Sequence, residues 1–445
     1  MILKIIIVLL LFQLYLGKKD LKHGIILMII LSLLTPNTLK FSLGPISLNV
    51  FNLTTAVYFV CCIKYLKQGY LIDKVLRKYL IYLMSYIFVT SFLLSLGGGG
   101  IVFWIKNTIL TTLEFFLVAY TFLYIRFNDE ELRSINITIL STSIFIAFYA
   151  IFNYVTKSNP YVSLVALLTD TRDAADYFIN EQRGVLSGRV SSTFAHPLIL
   201  GQMMLLILSY LIFLLRESVN KKITYGISFL LIIPIILSGS RSALLPLFLL
   251  PVIYLFQFGR QKIFRYILIG LIAVPITISL LPKEYKNTVE AVIYFWDDKK
   301  SDKVGIAGSS NNLRIEQHLS ALKIINGNPL FGKGNGYVNE NGSKHREMLG
   351  YEGMFLYTLV DWGFLGTILF LFFYFYLYRY LLRKTNDPFE KVQVTSLCSC
   401  YFISCILTGI SYSSFSFFFL LYFLTLNRIS NNHIKLEENI KAMAD

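Results

Sequence analysis

Along most of the chain, long apolar runs alternate with short polar breaks. Apolar runs cover roughly 1–17, 24–36, 46–66, 78–97, 101–125, 134–156, 196–215, 222–238, 242–258, 263–282, 351–381 and 394–427. Most reach or approach the ~20 residues that an α-helix needs to cross a bilayer. The last is too long for one crossing without strong tilt. It carries Gly409, Ser411, Ser413 and Ser414 in its middle, so it reads as one helix or as two. The pattern predicts an all-α polytopic membrane protein with about 12–13 transmembrane helices. The alternation fails from about Lys283 to Gly350, where the chain turns polar and charged. A connection that long inside a compact fold is usually functional or disordered. The chain thus divides into N-terminal helices (1–156), an external loop (157–195), helices with an Arg-bearing external junction (196–282), a large extracytoplasmic loop (283–350), C-terminal helices (351–427) and a polar tail (428–445).

Composition removes the soluble alternative. A chain of 445 residues would suggest two or three soluble domains, but 55% of it is hydrophobic and 15% charged, with a mean hydropathy of +0.61. The net charge of +15 is then read loop by loop as an orientation signal, not as a nucleic-acid footprint. KKDLKH (Lys18–His23), KQGYLIDKVLRK (Lys67–Lys78), RFNDEELR, RESVNKK, GRQKIFR and YRYLLRK fall in alternate loops, and the positive-inside rule puts them in the cytoplasm. PNTLKFSLGP, SLGGGG, the 157–195 loop, the SGSR junction and the 283–350 loop then face outside. The first segment lacks a small-x-small cleavage site and is read as a helix, not a signal peptide. Cys61, Cys62, Cys398, Cys400 and Cys405 all lie in apolar runs and read as small packing residues.

Candidate chemistry concentrates on the outer side, in arginines. Arg189 lies just before a span, in RGVLSGRVSSTFAHPLILG (Arg183–Gly201), and Ser192, Thr193 and His196-Pro197 resemble an N-terminal capping region. A guanidinium beside a helix start can cradle a phosphate with bidentate bonds and free N–H groups. Arg241 sits in the tight junction SGSRS between two strongly apolar runs, where a charge is costly unless it is paired or near water. The alternative for each is a boundary arginine whose head snorkels to the lipid headgroups.

In the large loop, Asn311 or Asn312 can cap a helix whose apolar stripe is Ile315, Leu319, Leu322 and Ile325. This amphipathic helix is expected to lie on the membrane or on the bundle. Arg314 occupies its first turn, and an exposed helix arginine is the plainer reading. Gly332, Gly334 and Gly336 then predict an open, mobile turn, with neither the βαβ setting nor the GK[ST] sequence of a nucleotide site. DDKKSDK (Asp297–Lys303) has adjacent acids without an anchoring context, so no metal site is expected. Further on, His345 can act as a base near neutral pH, and Glu352 can if burial raises its pKa. The plainer readings are an exposed loop histidine and a favourable helix-dipole partner. Asp361 falls on the opposite helix face from Glu352 at about 100° per residue. Lys106 and Glu114 read as a structural pair or as polar helix glue.

Four stretches together resemble the O-antigen polymerase and O-antigen ligase superfamily: RVSSTFAHPLILG with Arg189, LSGSRSALL with Arg241, RIEQHLSALKIINGNPLFGKGNGY with Arg314, and YEGMFLYTLVDWGFLG. The ligase branch opens the last stretch with a histidine. Here the matching position is Glu352, and His345 is the nearest histidine. That departure favours a polymerase. The resemblance implies a multi-pass protein of the cytoplasmic (inner) membrane that transfers a sugar chain from undecaprenyl diphosphate to a lipid-linked repeat unit. It implies no cofactor and no metal. Arg189, Arg241 and Arg314 would bind the diphosphate, and Glu352 or His345 would be the base. Partners would be the undecaprenyl-diphosphate-linked oligosaccharide, membrane lipid and a chain-length regulator. Two other readings stay open: a ligase moving polymer to lipid A core, and a lipid-linked sugar flippase.

Overall fold

A computed structural model describes residues 2–36, 39–44, 46–67, 73–95, 100–169, 182–183, 186–187, 189–217, 220–259, 311–341, 353–409 and 412–444. The protein is an all-α polytopic membrane protein, and six described helices are long and apolar enough to cross a membrane. α1 (Ile2–Lys19), α2 (Leu21–Leu34) and α3 (Val50–Lys67) pack together. A small antiparallel hairpin, β1 (Lys40–Leu43) with β2 (Ile46–Asn49), joins the last two. α4 (Lys74–Leu94) follows. α5 (Ile101–Phe122) is interrupted by one π-helical turn at Thr112–Phe116. α6 (Asp129–Thr156) starts from a capping box, Asn128 accepting from the Glu131 amide while the Glu131 carboxylate accepts from the Asn128 amide.

The 157–195 region contains α7 (Pro160–Thr169) and the two-residue strands β3 (Gln182–Arg183) and β4 (Leu186–Ser187). Then come α8 (Pro197–Leu211), the single turn α9 (Leu214–Glu217), α10 (Lys221–Leu237) and α11 (Arg241–Phe258). After the gap in description come α12 (Asn311–Ile325), α13 (Tyr337–Asn341), α14 (Met354–Lys384), α15 (Pro388–Thr408) and α16 (Tyr412–Ala444). The long 394–427 run is therefore two helices broken around Gly409. The polar tail continues the last helix through Ala444. The expected span at 263–282 and the DDKKSDK run lie outside the described residues.

Two helices form the centre. α8 is buried at every position from Leu200 to Leu211, and α16 from Ser414 to Ile429. A helix apolar on all sides belongs inside a bundle. α8 packs on α10, α11, α15 and α16. Aromatic rings pack along α16: Phe115 of α5 stacks on Phe415 at 4.9 Å and Tyr401 of α15 on Phe418 at 4.8 Å. α11 is peripheral, with only 17% of its apolar window buried.

Polar contacts gather the loops into two sets at opposite ends. At one end Tyr161 Oη donates to Leu34 O (2.6 Å), Thr193 Oγ1 to Leu33 O (2.8 Å), Arg189 Nε to Ser238 O (3.0 Å) and Gln202 Nε2 to Thr408 Oγ1 (2.9 Å). At the other the Phe127 amide donates to Asn427 Oδ1 (2.9 Å), Arg126 to Asn431 Oδ1 (3.2 Å), Arg428 to Glu217 (3.2 Å) and Asn432 to Glu390 (2.9 Å). These are the two groups into which alternate loops sort by charge. The second end is the basic one, assigned to the cytoplasm by the positive-inside rule.

Substitution Asn427→Leu strands the buried Phe127 amide and the Ile125 carbonyl. An unmade buried hydrogen bond costs about 1–3 kcal/mol. The purified variant should melt several degrees lower, while Ile137→Ala on the exposed face of α6 should melt as the parent does.

Candidate active site at the outer end of the bundle

α10 ends where the Ser238 and Gly239 amides turn back to Pro234 O and Ile236 O. Gly239 takes φ +58°, which only glycine adopts without strain, and the chain restarts one residue later with Ser240 as N-cap and Arg241 as the first residue of α11. Ser238, Ser240 and Ser242 are all buried. Ser238 Oγ accepts from the Ser240 amide at 3.2 Å, and the Ser240 and Ser242 hydroxyls share a bond of 2.9 Å. The segment before α8 lies on this turn. Arg189, 4% exposed, donates from Nε to Ser238 O, and the Val190 amide donates to Leu237 O at 3.1 Å. The two arginine segments, far apart in sequence, thus share one buried serine-rich turn.

The link from Arg189 into α8 is held from several sides. Asn159 Nδ2 donates to Ser192 O and Ser191 Oγ, and Ser192 Oγ donates to Ile146 O. Ser192 itself sits at φ +52°. His196 is the N-cap of α8, its Nδ1 accepting from the Leu198 amide at 3.1 Å, with Pro197 at the first helical position. That is the capping region read from the sequence. One turn into α8, Gly201 lies against the serine turn: a Cβ there would stand 2.8 Å from Ser238 Oγ and 2.9 Å from Ala243 Cβ.

The start of α14 comes to the same end. Gln202 reaches Thr408 and Gly409 O, and Ser414 Oγ donates to Gln202 Oε1 at 3.4 Å. Gly353 packs on that turn, where an added Cβ would stand 2.9 Å from Ile406 O. Glu352, the residue before it, lies outside the described residues, as does His345. Arg314 falls in the first turn of α12, but its side chain is outside the description.

The loop after α12 differs from its expected openness. α14 breaks at Gly363 (φ +69°, ψ −172°), and the glycine-rich loop fills the break. The Lys333 amide donates to Val360 O (2.8 Å) and the Gly334 amide to Asp361 O (2.9 Å), while the Phe364 and Leu365 amides donate to Pro329 O (2.9 Å) and Leu330 O (3.1 Å). The Asp361 carboxylate, 4% exposed, accepts from the Gly336 amide (2.8 Å) and the Val338 amide (3.0 Å) at the start of α13. Asn335 binds Ser91, Thr111 and Trp362 Nε1. Gly332, Gly334 and Gly336 all have positive φ. They make a close-packed plug, not an open turn: Gly332 approaches α14 and Gly336 approaches α5 too closely for a side chain, and Gly334 bends where glycine is unstrained. The signal was present in the sequence: an aspartate and a glycine inside an apolar helix, downstream of alternating glycines.

The apolar stripe of α12 is divided between the bundle and the exposed face. Ile325 is buried, but Ile315, Leu319 and Leu322 are 58, 54 and 48% exposed. The face against α14 is Gln317, Ala321 and Ile325, meeting Leu356 and Val360. Small Ala321 permits the close approach, and the larger residues face outward. Lys106 and Glu114 do not pair either. Lys106 binds Glu340. Glu114 lies on the π turn of α5, where its carboxylate accepts from Asn52 Nδ2 at 3.0 Å and its carbonyl accepts from Ser416 Oγ. It ties α3, α5 and α16 together, and a π turn inside a helix often marks a functional position.

Residues 226–371 match the family model described as O-Antigen ligase, in agreement with the O-antigen polymerase and ligase superfamily. The matched stretch includes Arg241, α12, the glycine plug and the kink of α14, and leaves Arg189 before it. It supports a role in surface-polysaccharide biosynthesis within a membrane. No curated protein matches the chain.

Gly363→Ala forces a Cβ to within 2.4 Å of Leu330 O at a positive φ. Strain of that kind costs about 1–3 kcal/mol before the clash. Proteolysis or hydrogen exchange of the purified variant should show the 328–338 segment opening. Gly226→Ala, with nothing within 4 Å, should leave exchange there unchanged.

Proposed function

We propose that the protein polymerises lipid-linked oligosaccharide repeat units of O-antigen or capsule type on the outer face of the cytoplasmic membrane. The growing chain on undecaprenyl diphosphate is the donor, and a sugar hydroxyl of a second lipid-linked unit is the acceptor. Glu352 or His345 takes the hydroxyl proton. The freed oxygen attacks the anomeric carbon, and the bond from that carbon to the diphosphate oxygen breaks with inversion. The diphosphate leaves carrying the electron pair, and Arg189, Arg241 and Arg314 stabilise its charge without a metal. In a site shielded from water, each such contact is worth more than at an open surface.

The observation that carries this reading is the docking of the Arg189 segment on the serine turn that begins with Ser238 and leads to Arg241. A lone headgroup arginine would need no such frame. Both cations stand near helix starts, where free backbone N–H groups add to anion binding. The glycine plug and α12 add the third arginine's helix to α14, next to the turn where α15 gives way to α16.

The ligase reading rests on the same arginines and differs in acceptor, lipid A core in place of a repeat unit. A deletion strain separates them by its surface polysaccharide. One repeat unit on the core supports polymerisation. None on the core, with polymer left on the carrier lipid, supports ligation. Repeat units trapped inside the cell would support a flippase.

Arg189→Ala, Arg241→Ala and Arg314→Ala should each abolish long polysaccharide while single repeat units persist on a gel. Arg→Lys at Arg241 should recover part of the length, since charge returns without the bidentate fork. Normal ladders in all three alanine variants would remove the arginines from the reaction.

A further inference from the structure

At the basic end, α4 and α14 border a groove of about 760 Å³. Leu83, 2% exposed, and the Tyr79–Tyr376 ring pair, 4.8 Å between centroids, line it. Tyr82, Phe372 and Phe375 are 64, 63 and 57% exposed and stand along it. Arg379 and Arg383, one turn apart on α14, close its basic end. The Arg379 guanidinium lies 6.0 Å from the centre of the Phe375 ring, which orients it toward the groove by a cation–π contact. Asp73, beside Tyr376, is an acidic neighbour. Lys74, Arg77 and Lys78 in the first turns of α4 and Lys384 at the end of α14 leave the neighbourhood strongly cationic.

The spacing has a meaning. From Phe372 to Arg383 the helix rises about 16 Å at 1.5 Å per residue. That is a headgroup and the upper part of an acyl chain, with aromatic rings along the chain and two guanidinium forks at the phosphate. Basic pockets between spanning helices on the cytoplasmic side take anionic lipid headgroups. Ordinary lipid-facing surface would need neither the concavity nor paired arginines.

We infer that this groove binds an anionic phospholipid of the inner leaflet, with its phosphate between Arg379 and Arg383 and an acyl chain along Tyr82, Phe372 and Phe375. The site lies at the far end of the bundle from Arg189 and Arg241. It holds whether or not the polymerase reading does. Bound lipid would clamp α4 against α14, the two helices that also grip the glycine plug.

The full-length protein in neutral detergent can be titrated with phosphatidylglycerol or phosphatidylcholine and followed by native mass spectrometry and thermal melting. Phosphatidylglycerol should bind and raise the melting temperature, and phosphatidylcholine should do neither to the same degree. The double substitution Arg379→Gln with Arg383→Gln should weaken phosphatidylglycerol binding roughly thirtyfold and remove the thermal shift. Phe372→Ala should weaken both lipids alike while the preference for the anionic one persists. Equal binding of the two lipids by the parent, or undiminished preference in the double variant, would overturn the site. So would a dimer that forms through this face and is lost in the double variant without any lipid dependence. If the double variant does not fold, Arg379→Lys with Arg383→Lys, which keeps the charge and loses the fork, should retain the anionic preference at reduced affinity. Full affinity there would equally overturn the geometry.

Discussion

The break in α14 at Gly363 governs the outer half of this protein. A spanning helix can interrupt its ladder only where other protein groups take up the freed N–H and C=O groups. Here they are taken up by the chain from Pro329 to Gly334, which pairs with both sides of the break. Asp361 then accepts from the amides that begin α13. One kink therefore fixes the chain from Pro329 to Val338 to the bundle. It also fixes α12, whose Ala321 and Ile325 rest on Leu356 and Val360 just before the kink.

That anchoring brings the 328–341 segment to the end of the bundle that carries the Arg189 segment. An external helix held only by an apolar stripe would float on the lipid. α12 instead turns Gln317, Ala321 and Ile325 inward, and Ile315, Leu319 and Leu322 outward. The same end of the bundle carries the Arg189 segment on its serine turn, and Gly201 allows α8 to approach that turn closely. Glycine serves this end twice: as contact surface between helices, and as backbone that bends where no side chain fits.

The two ends of the bundle carry different chemistry. The outer end is built from serines, threonines and two buried or half-buried arginines around short turns. The inner end is built from asparagines and an arginine of α16 that tie it to the loop before α6, to Glu217 of α9 and to Glu390 in the first turn of α15. The groove between α4 and α14 belongs to the inner end, the Gly363 plug to the outer. α4 and α14 run between them, so each end acts on the same pair of helices.

Much of this was written in the order of residues. Hydropathy marked the helices, since apolar runs this long can satisfy their backbone in lipid within a single segment only as helices. Lysine and arginine in alternate loops sorted the ends, and Ser238–Arg241 and His196-Pro197 marked helix boundaries where the structure has them. Local patterns could not decide which face of α12 meets the bundle. In a membrane the outward face is also apolar, so hydrophobicity no longer points inward, and close fit decides instead. Nor could they show that Lys106 takes Glu340 and leaves Glu114 to Asn52, because side chains one or two turns apart in sequence were pulled to different neighbours by helix packing. The alternating glycines looked like freedom in one dimension. Only the tertiary structure showed two of them in close contact, because the groups that crowd them, the broken turn at Gly363 for Gly332 and Asn107 of α5 for Gly336, lie in other helices.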